Sequence, residues 1–158
     1  MIRLFRTKLL LLALSLFLVA GLLTQSFAQL VRGGYSQQDM ERAISRARSE
    51  VETFKTELAK GDADNYAIKV GIKDGKDTEH FWLGEVSFKD GVFSGKIANR
   101  PGVVRNVKFG QTWEVKQAEI SDWMINREEK IQGGYTIDPL LATMPKAQAD
   151  ALRARLVR

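Results

Sequence analysis

Tyr66-Ala67-Ile68-Lys69-Val70-Gly71-Ile72-Lys73-Asp74-Gly75 is where this 158-residue chain changes its period. Tyr66, Ile68, Val70 and Ile72 alternate with Ala67, Lys69, Gly71 and Lys73. A period of two puts the first set on one face of an extended strand, and Asp74-Gly75 then offers a turn. Upstream the period is helical. Met40, Ile44, Ala47, Val51, Phe54 and Leu58 recur at spacings of four and three, which lines one stripe of a helix from Ser36 to Lys60. Ser36 with Asp39 three residues on supplies the N-terminal capping pattern, and Gly61 the left-handed end.

Downstream the pattern stays extended. A second strand is expected from about Glu79 to Phe88, and Asp90-Gly91 is a two-residue hairpin signal that returns the chain through Val92 to Ile97. Asn99-Arg100-Pro101-Gly102 breaks the sheet, because proline cannot donate to a ladder. Further strands are expected at Val103 to Phe109, Thr112 to Val115, Ile120 to Ile125 and Tyr135 to Ile137. Pro145 opens a basic terminal helix over Lys146 to Val157. The expectation is an α+β domain: an amphipathic N-terminal helix on a curved antiparallel sheet of about five strands, with a short C-terminal helix. Closure into a small barrel is the alternative, given Gly84, Gly95 and Gly110.

The N-terminus carries an address. Arg3, Arg6 and Lys8 precede an uncharged run from Leu9 to Leu23, and Ser26-Phe27-Ala28 puts small residues where a signal peptidase reads. That run is shorter than the roughly 20 residues a spanning helix needs. Residues 1–28 therefore read as a cleaved signal peptide, 29–35 as a flexible new N-terminus and 36–158 as one domain. A periplasmic or secreted protein is expected, with no membrane span after cleavage. The export signal holds 3 of the 24 basic residues and no acid, so 21 basic residues face 19 acidic ones in the mature chain. A net charge of +2 is not the footprint of a nucleic-acid binder. Without cysteine, packing alone must hold the fold.

The residues that could carry chemistry are few. His80 is the only histidine, and without thiols it cannot assemble an ordinary zinc site. On a strand Glu79 and His80 point to opposite faces, so the dipeptide is no ready acid–base pair. A nucleophile elbow, a phosphate-cradling glycine loop and a complete calcium loop are all missing from the sequence. No metal and no cofactor are expected. His80 and Asp122 stand as weak catalytic candidates. Aromatic residues are the surplus: Phe81 and Trp82 cannot both face inward on a regular strand, and an exposed large aromatic marks a binding surface. Phe81, Trp82, Asn99, Trp123 and Tyr135 are the candidate binding residues.

Several blocks carry a resemblance. Glu79-His80-Phe81-Trp82-Leu83, Gly95-Lys96-Ile97-Ala98-Asn99-Arg100-Pro101, Gly110-Gln111, Glu119-Ile120-Ser121-Asp122-Trp123-Met124 and Gly134-Tyr135-Thr136 resemble the YegJ-like bacterial family, a domain of unknown function (twenty-three-fourteen). The resemblance covers roughly residues 66–142. It implies no activity, cofactor or catalytic residue; similar domains beside ankyrin repeats lean toward interaction. The expected function is an exported, non-enzymatic module that binds a protein or peptide partner through an aromatic sheet surface. The alternative is a small periplasmic hydrolase or lyase using His80 with a nearby carboxylate, Asp122 or Glu119. A third reading sets the basic terminal helix, with Lys146, Arg153, Arg155 and Arg158, against a membrane surface or an anionic glycan.

Overall fold

A computed structural model describes residues 34–158. The signal-peptide reading and most of the 29–35 segment lie outside the described residues. The fold is α+β. Helices α1 (Gln37–Ser49) and α2 (Val51–Lys60) lead into β1 (Asn65–Asp74), β2 (Asp77–Lys89), β3 (Val92–Ile97) and β4 (Thr112–Lys116). Then follow β5 (Ile120–Arg127), β6 (Lys130–Gly133), the short helix α3 (Asp138–Leu141), α4 (Lys146–Arg153) and β7 (Leu156–Val157). The sheet has the order β4-β3-β2-β1-β5-β6-β7. Every pairing is antiparallel except β6 with β7. Seven strands replace the expected five, and the sheet stays open rather than closing into a barrel.

One face of the sheet holds the main core. Ala47, Val51 and Phe54 from the helices pack with Ile68, Val70, Phe81, Leu83, Phe93 and Trp123 from the strands. Phe54 is fully buried, with its ring centroid 5.5 Å from that of Trp123 and 6.0 Å from that of Phe93. Ser36 caps α1 by accepting the Asp39 amide at 3.2 Å. Gly61 ends α2 at φ 66, the left-handed cap.

The helix expected from Ser36 to Lys60 is two helices, broken at Glu50. In a continuous helix the Ala47 carbonyl would take the Val51 amide. Here it accepts the indole N–H of Trp123 at 2.8 Å. A buried indole needs a partner, and a residue 76 positions away found it in the helix backbone.

The segment Val103 to Phe109 is not a strand but an irregular loop between β3 and β4. Side chains hold it. The Glu79 carboxylate accepts the amides of Gly102, Val103 and Val104 at 2.9 to 3.2 Å. Asp74 accepts the Arg105 amide, and Asn106 donates to the Lys73 carbonyl, both at 2.8 Å. Local alternation cannot compete with bonds that take the amides away from a ladder. Tyr135–Ile137 is likewise a 3-10 turn rather than a strand. The terminal helix stops at Arg153, and Leu156–Val157 joins β6 in parallel. There a second cluster, of Ile131, Ile137, Leu141, Ala149 and Leu152 with Met124, packs α3 and α4 against β5 and β6. The basic residues set aside for a membrane surface are used internally. Arg155 donates to the Glu129 carbonyl, Arg153 pairs with Asp150, and Arg158 binds Asp138 and the carbonyl of Gly133. Among the described residues no helix is long and apolar enough to cross a membrane.

Candidate functional site

The polar groups with unusual environments gather around the middle of β1. Lys69 points away from the main core, because its neighbours Ile68 and Val70 point into it. Register places Trp82 of β2 on one side of it and Asp122 of β5 on the other. Lys69 is only 8% exposed, and its ammonium donates to the Thr136 hydroxyl at 3.0 Å. It also stands 5.5 Å from the Trp82 ring centroid. Thr136 in turn donates to Asp122 at 2.6 Å. The carboxylate of Asp122 further accepts the amides of Trp123 and Thr136 at 2.8 Å and of Tyr135 at 3.2 Å. Every one of these partners requires an acceptor, so the ionised form fits the site. Burial pushes the Asp122 carboxyl up, while Thr136, Lys69 and the Trp123 amide pull it back. Burial lowers Lys69, opposed by the Asp122 charge.

Asp122 thus ties β5 to the turn Gly133-Gly134-Tyr135-Thr136. Tyr135 follows Gly134 at φ 65, and its hydroxyl donates to Glu50 at the break between α1 and α2. Its ring lies edge-on to Trp123, centroids 5.7 Å apart. Desolvation, and then Glu50, push the Tyr135 phenol up to about 12.

His80 lies beside this chain of bonds. Its Nδ1 is 3.3 Å from the Ser121 hydroxyl, which donates to the Lys69 carbonyl at 3.2 Å. Since the single hydroxyl proton is spent on that carbonyl, Nδ1 carries the hydrogen and Nε2 holds the lone pair. The ring rests over Gly71: a Cβ there would sit 3.2 Å from Cε1 and 3.4 Å from Nε2. Crowding on the sheet, and then the Lys69 ammonium, push His80 down to about 4. The residue is exposed to solvent, which moderates the depression without changing its sign. The native state therefore refuses a proton that the unfolded chain binds between about 4 and 6.5. Stability should fall as pH drops through that window, and His80→Gln should flatten the fall. Chemical denaturation of both proteins at several pH values measures it; parallel curves would show that His80 is not perturbed.

The structure separates the candidate binding residues. Phe81 and Trp123 are fully buried in the main core, so neither reaches a binding surface. Tyr135 is 5% exposed. Trp82 is half-buried on the opposite face from Phe81. Asn99 is buried, and its Oδ1 accepts the Trp82 amide at 2.9 Å, extending the ladder where β3 has ended. Its Nδ2 has no partner among the described residues. Lys69, Ser121 and Thr136 escaped the sequence reading. Their sole signal was position: Lys69 interrupts an apolar strand, and Ser121 and Thr136 adjoin candidates already named.

The sequence profile of a bacterial family, described as an uncharacterized protein conserved in bacteria (DUF2314), matches residues 37–155. The chain belongs to this family. The match extends beyond the 66–142 stretch of the resemblance and takes in α1, α2 and α4. The uncharacterized protein YegJ of Escherichia coli K12 is 52% identical over 150 residues, which cover 95% of this chain and 97% of the relative. A putative ankyrin repeat protein of Neisseria meningitidis serogroup B is 28% identical over 123 residues, spanning 72% of this chain and 49% of that protein. No solved structure matches significantly.

Chemically, the family member's inner polar chain is saturated. Asp122 has its acceptor sites filled, the Ser121 hydroxyl is 4% exposed and already donating, and Thr136 is 1% exposed. The Glu79 carboxylate is occupied by three amides. Glu119 accepts the Lys116 amide at 2.9 Å. His80 is exposed, and its Nε2 has no hydrogen-bond partner among the described residues. Among the described residues no three His, Cys, Asp or Glu side chains are grouped to hold a metal ion.

Proposed function

We propose that this protein is an exported, non-enzymatic interaction module that takes a protein or peptide partner on exposed apolar side chains. Export rests on the N-terminal pattern of residues 1–28. The observation that carries the binding reading is the loop between β3 and β4. It presents Val103, 42% exposed, and Phe109, 59% exposed, two of the three exposed large apolar residues among those described. Arg100 stands 5.7 Å from the Phe109 ring centroid. The loop is fastened along β2, through the Glu79 side chain to its amides and through the Trp82 backbone to Ala98 and Asn99, and its Val104 and Val107 are buried in the main core. Apolar side chains on a loop held in place are pre-organised for capture, because little ordering entropy remains to be lost.

A second reading, a small hydrolase or lyase, draws on exposed His80, with its Nδ1 next to Ser121 and β1 between it and Asp122. The two readings rank the same variants in opposite order. On the module reading, Phe109→Ser should weaken partner binding by about 2 kcal/mol, roughly thirtyfold. His80→Gln should then leave both binding and in vivo role intact. Crosslinking in periplasmic extract, followed by affinity measurement on the captured partner, makes the comparison. Loss of the phenotype in His80→Gln, with fold and partner binding unchanged, would favour the enzyme.

A further inference from the structure

An open groove of about 390 Å³ lies between α1 and the segment Tyr135 to Pro139. The α1 wall presents Arg42, Ala43 and Arg46, and the facing wall presents Tyr135, Asp138 and Pro139. The Arg46 guanidinium sits 4.4 Å from the Tyr135 ring centroid, with its Nε donating to Glu50 at 2.9 Å. No described residue accepts from its two terminal nitrogens. Arg42, one turn earlier, pairs with Asp39 at the groove's end and is otherwise exposed. Across the groove Asp138 takes Arg158 on one carboxylate oxygen at 2.9 Å, and its other oxygen has no described donor.

Charge decides what such a groove can hold. Arg42, Arg46 and Arg158 are matched in number by Asp39, Glu50 and Asp138, so the groove carries no net formal charge. The free groups are nonetheless separated, with guanidinium N–H donors on the α1 wall and a carboxylate oxygen opposite. Between them lie Ala43, Pro139 and Tyr135, a residue only 5% exposed whose ring centroid has the Arg46 and Arg158 guanidiniums 4.4 and 5.4 Å away. Tyr135 is rigid, held at its amide by Asp122, at its hydroxyl by Glu50 and at its ring by Trp123. We infer that the groove binds a small zwitterion with an apolar side chain, of the α-amino-acid class. Its carboxylate would lie on Arg42 and Arg46, and its ammonium on Asp138. The volume falls in the range of small-molecule sites.

This site shares no residue with the loop between β3 and β4. Three probes sharing one ring test it on the mature protein by NMR titration: L-phenylalanine, 3-phenylpropionate without the amine, and phenethylamine without the carboxylate. Phenylalanine should move the amides of Ala43 and Asp138 and bind at least about tenfold tighter than either half-ligand. Arg46→Gln and Asp138→Asn should each weaken it by about tenfold while circular dichroism melting stays unchanged, and His80→Gln should have no effect. Equal binding of 3-phenylpropionate would overturn the zwitterion assignment. An absence of shifts at millimolar phenylalanine, or affinity indifferent to Arg46→Gln, would overturn the site.

Discussion

Asp122→Ala should leave the protein unfolded or nearly so at 25 °C. The substitution strands the amides of Trp123, Tyr135 and Thr136 in a dry interior, at about 1–3 kcal/mol for each unsatisfied group. It also removes the anion that faces the Lys69 ammonium, and breaking a buried pair from one side costs about 3–5 kcal/mol. These effects share partners and do not simply add. Even so, they approach the roughly 5–15 kcal/mol that holds a domain together. Urea unfolding followed by circular dichroism measures the loss, and an unchanged midpoint would refute the argument. Two refinements separate the causes. Lys69→Met in the Asp122→Ala background removes the stranded charge and should recover part of the stability. Raising the pH should do the same. Burial lowers Lys69 in the fold, so the unfolded chain holds the extra proton up to the ordinary lysine range, and stability must rise with pH in that window.

Gly133→Ala should be nearly as damaging, for steric reasons. Gly133 has φ 77, a left-handed conformation that costs a non-glycine residue about 1–2 kcal/mol. More seriously, a Cβ there would meet the Trp123 carbonyl at 2.4 Å and its ring carbons at 2.6 Å. Neither can retreat: the carbonyl accepts the Gly134 amide at 2.7 Å, and the ring is packed between Phe54 and Tyr135. Overpacking of this kind, with strain and the lost hydrogen bond, destabilises by roughly 3–6 kcal/mol. Gly75→Ala is the control. Gly75 has φ 60 but nothing within 4 Å of a new Cβ, so only the backbone strain should register. Equal losses in the two variants would mean that crowding against Trp123 plays no part.

Much of this structure was legible one residue at a time. Ser36 begins a helix because its hydroxyl can reach the Asp39 amide, and Asp90-Gly91 turns a hairpin because both residues take positive φ, 51 and 81. The opposition of Glu79 to His80, and of Phe81 to Trp82, follows from the period of a strand. What periodicity could not say is which of these side chains would find a partner. Val103 to Phe109 has the composition of a strand, yet Glu79 and Asp74 take the amides a ladder would need. Five short runs were legible as strands, but the parallel contact of Leu156 with Ile131 depends on where α4 delivers the chain.

The candidate site shows the same division. By itself the sequence determined the α+β class, the N-terminal helical stripe, the alternation of β1 and β2, and the family, because each depends on neighbours within a few residues or on a run of identities. The tertiary structure alone decided that the N-terminal helix would break at Glu50, with the Ala47 carbonyl taken by Trp123 from 76 positions away. It alone joined Lys69, Thr136 and Asp122, which are 67 and 14 residues apart in the chain, and set Arg46 against Tyr135 and Asp138 across a groove. A hydrogen bond between distant residues leaves no mark in a local pattern. It forms only once the hydrophobic faces have fixed the sheet and left a polar group no water to turn to.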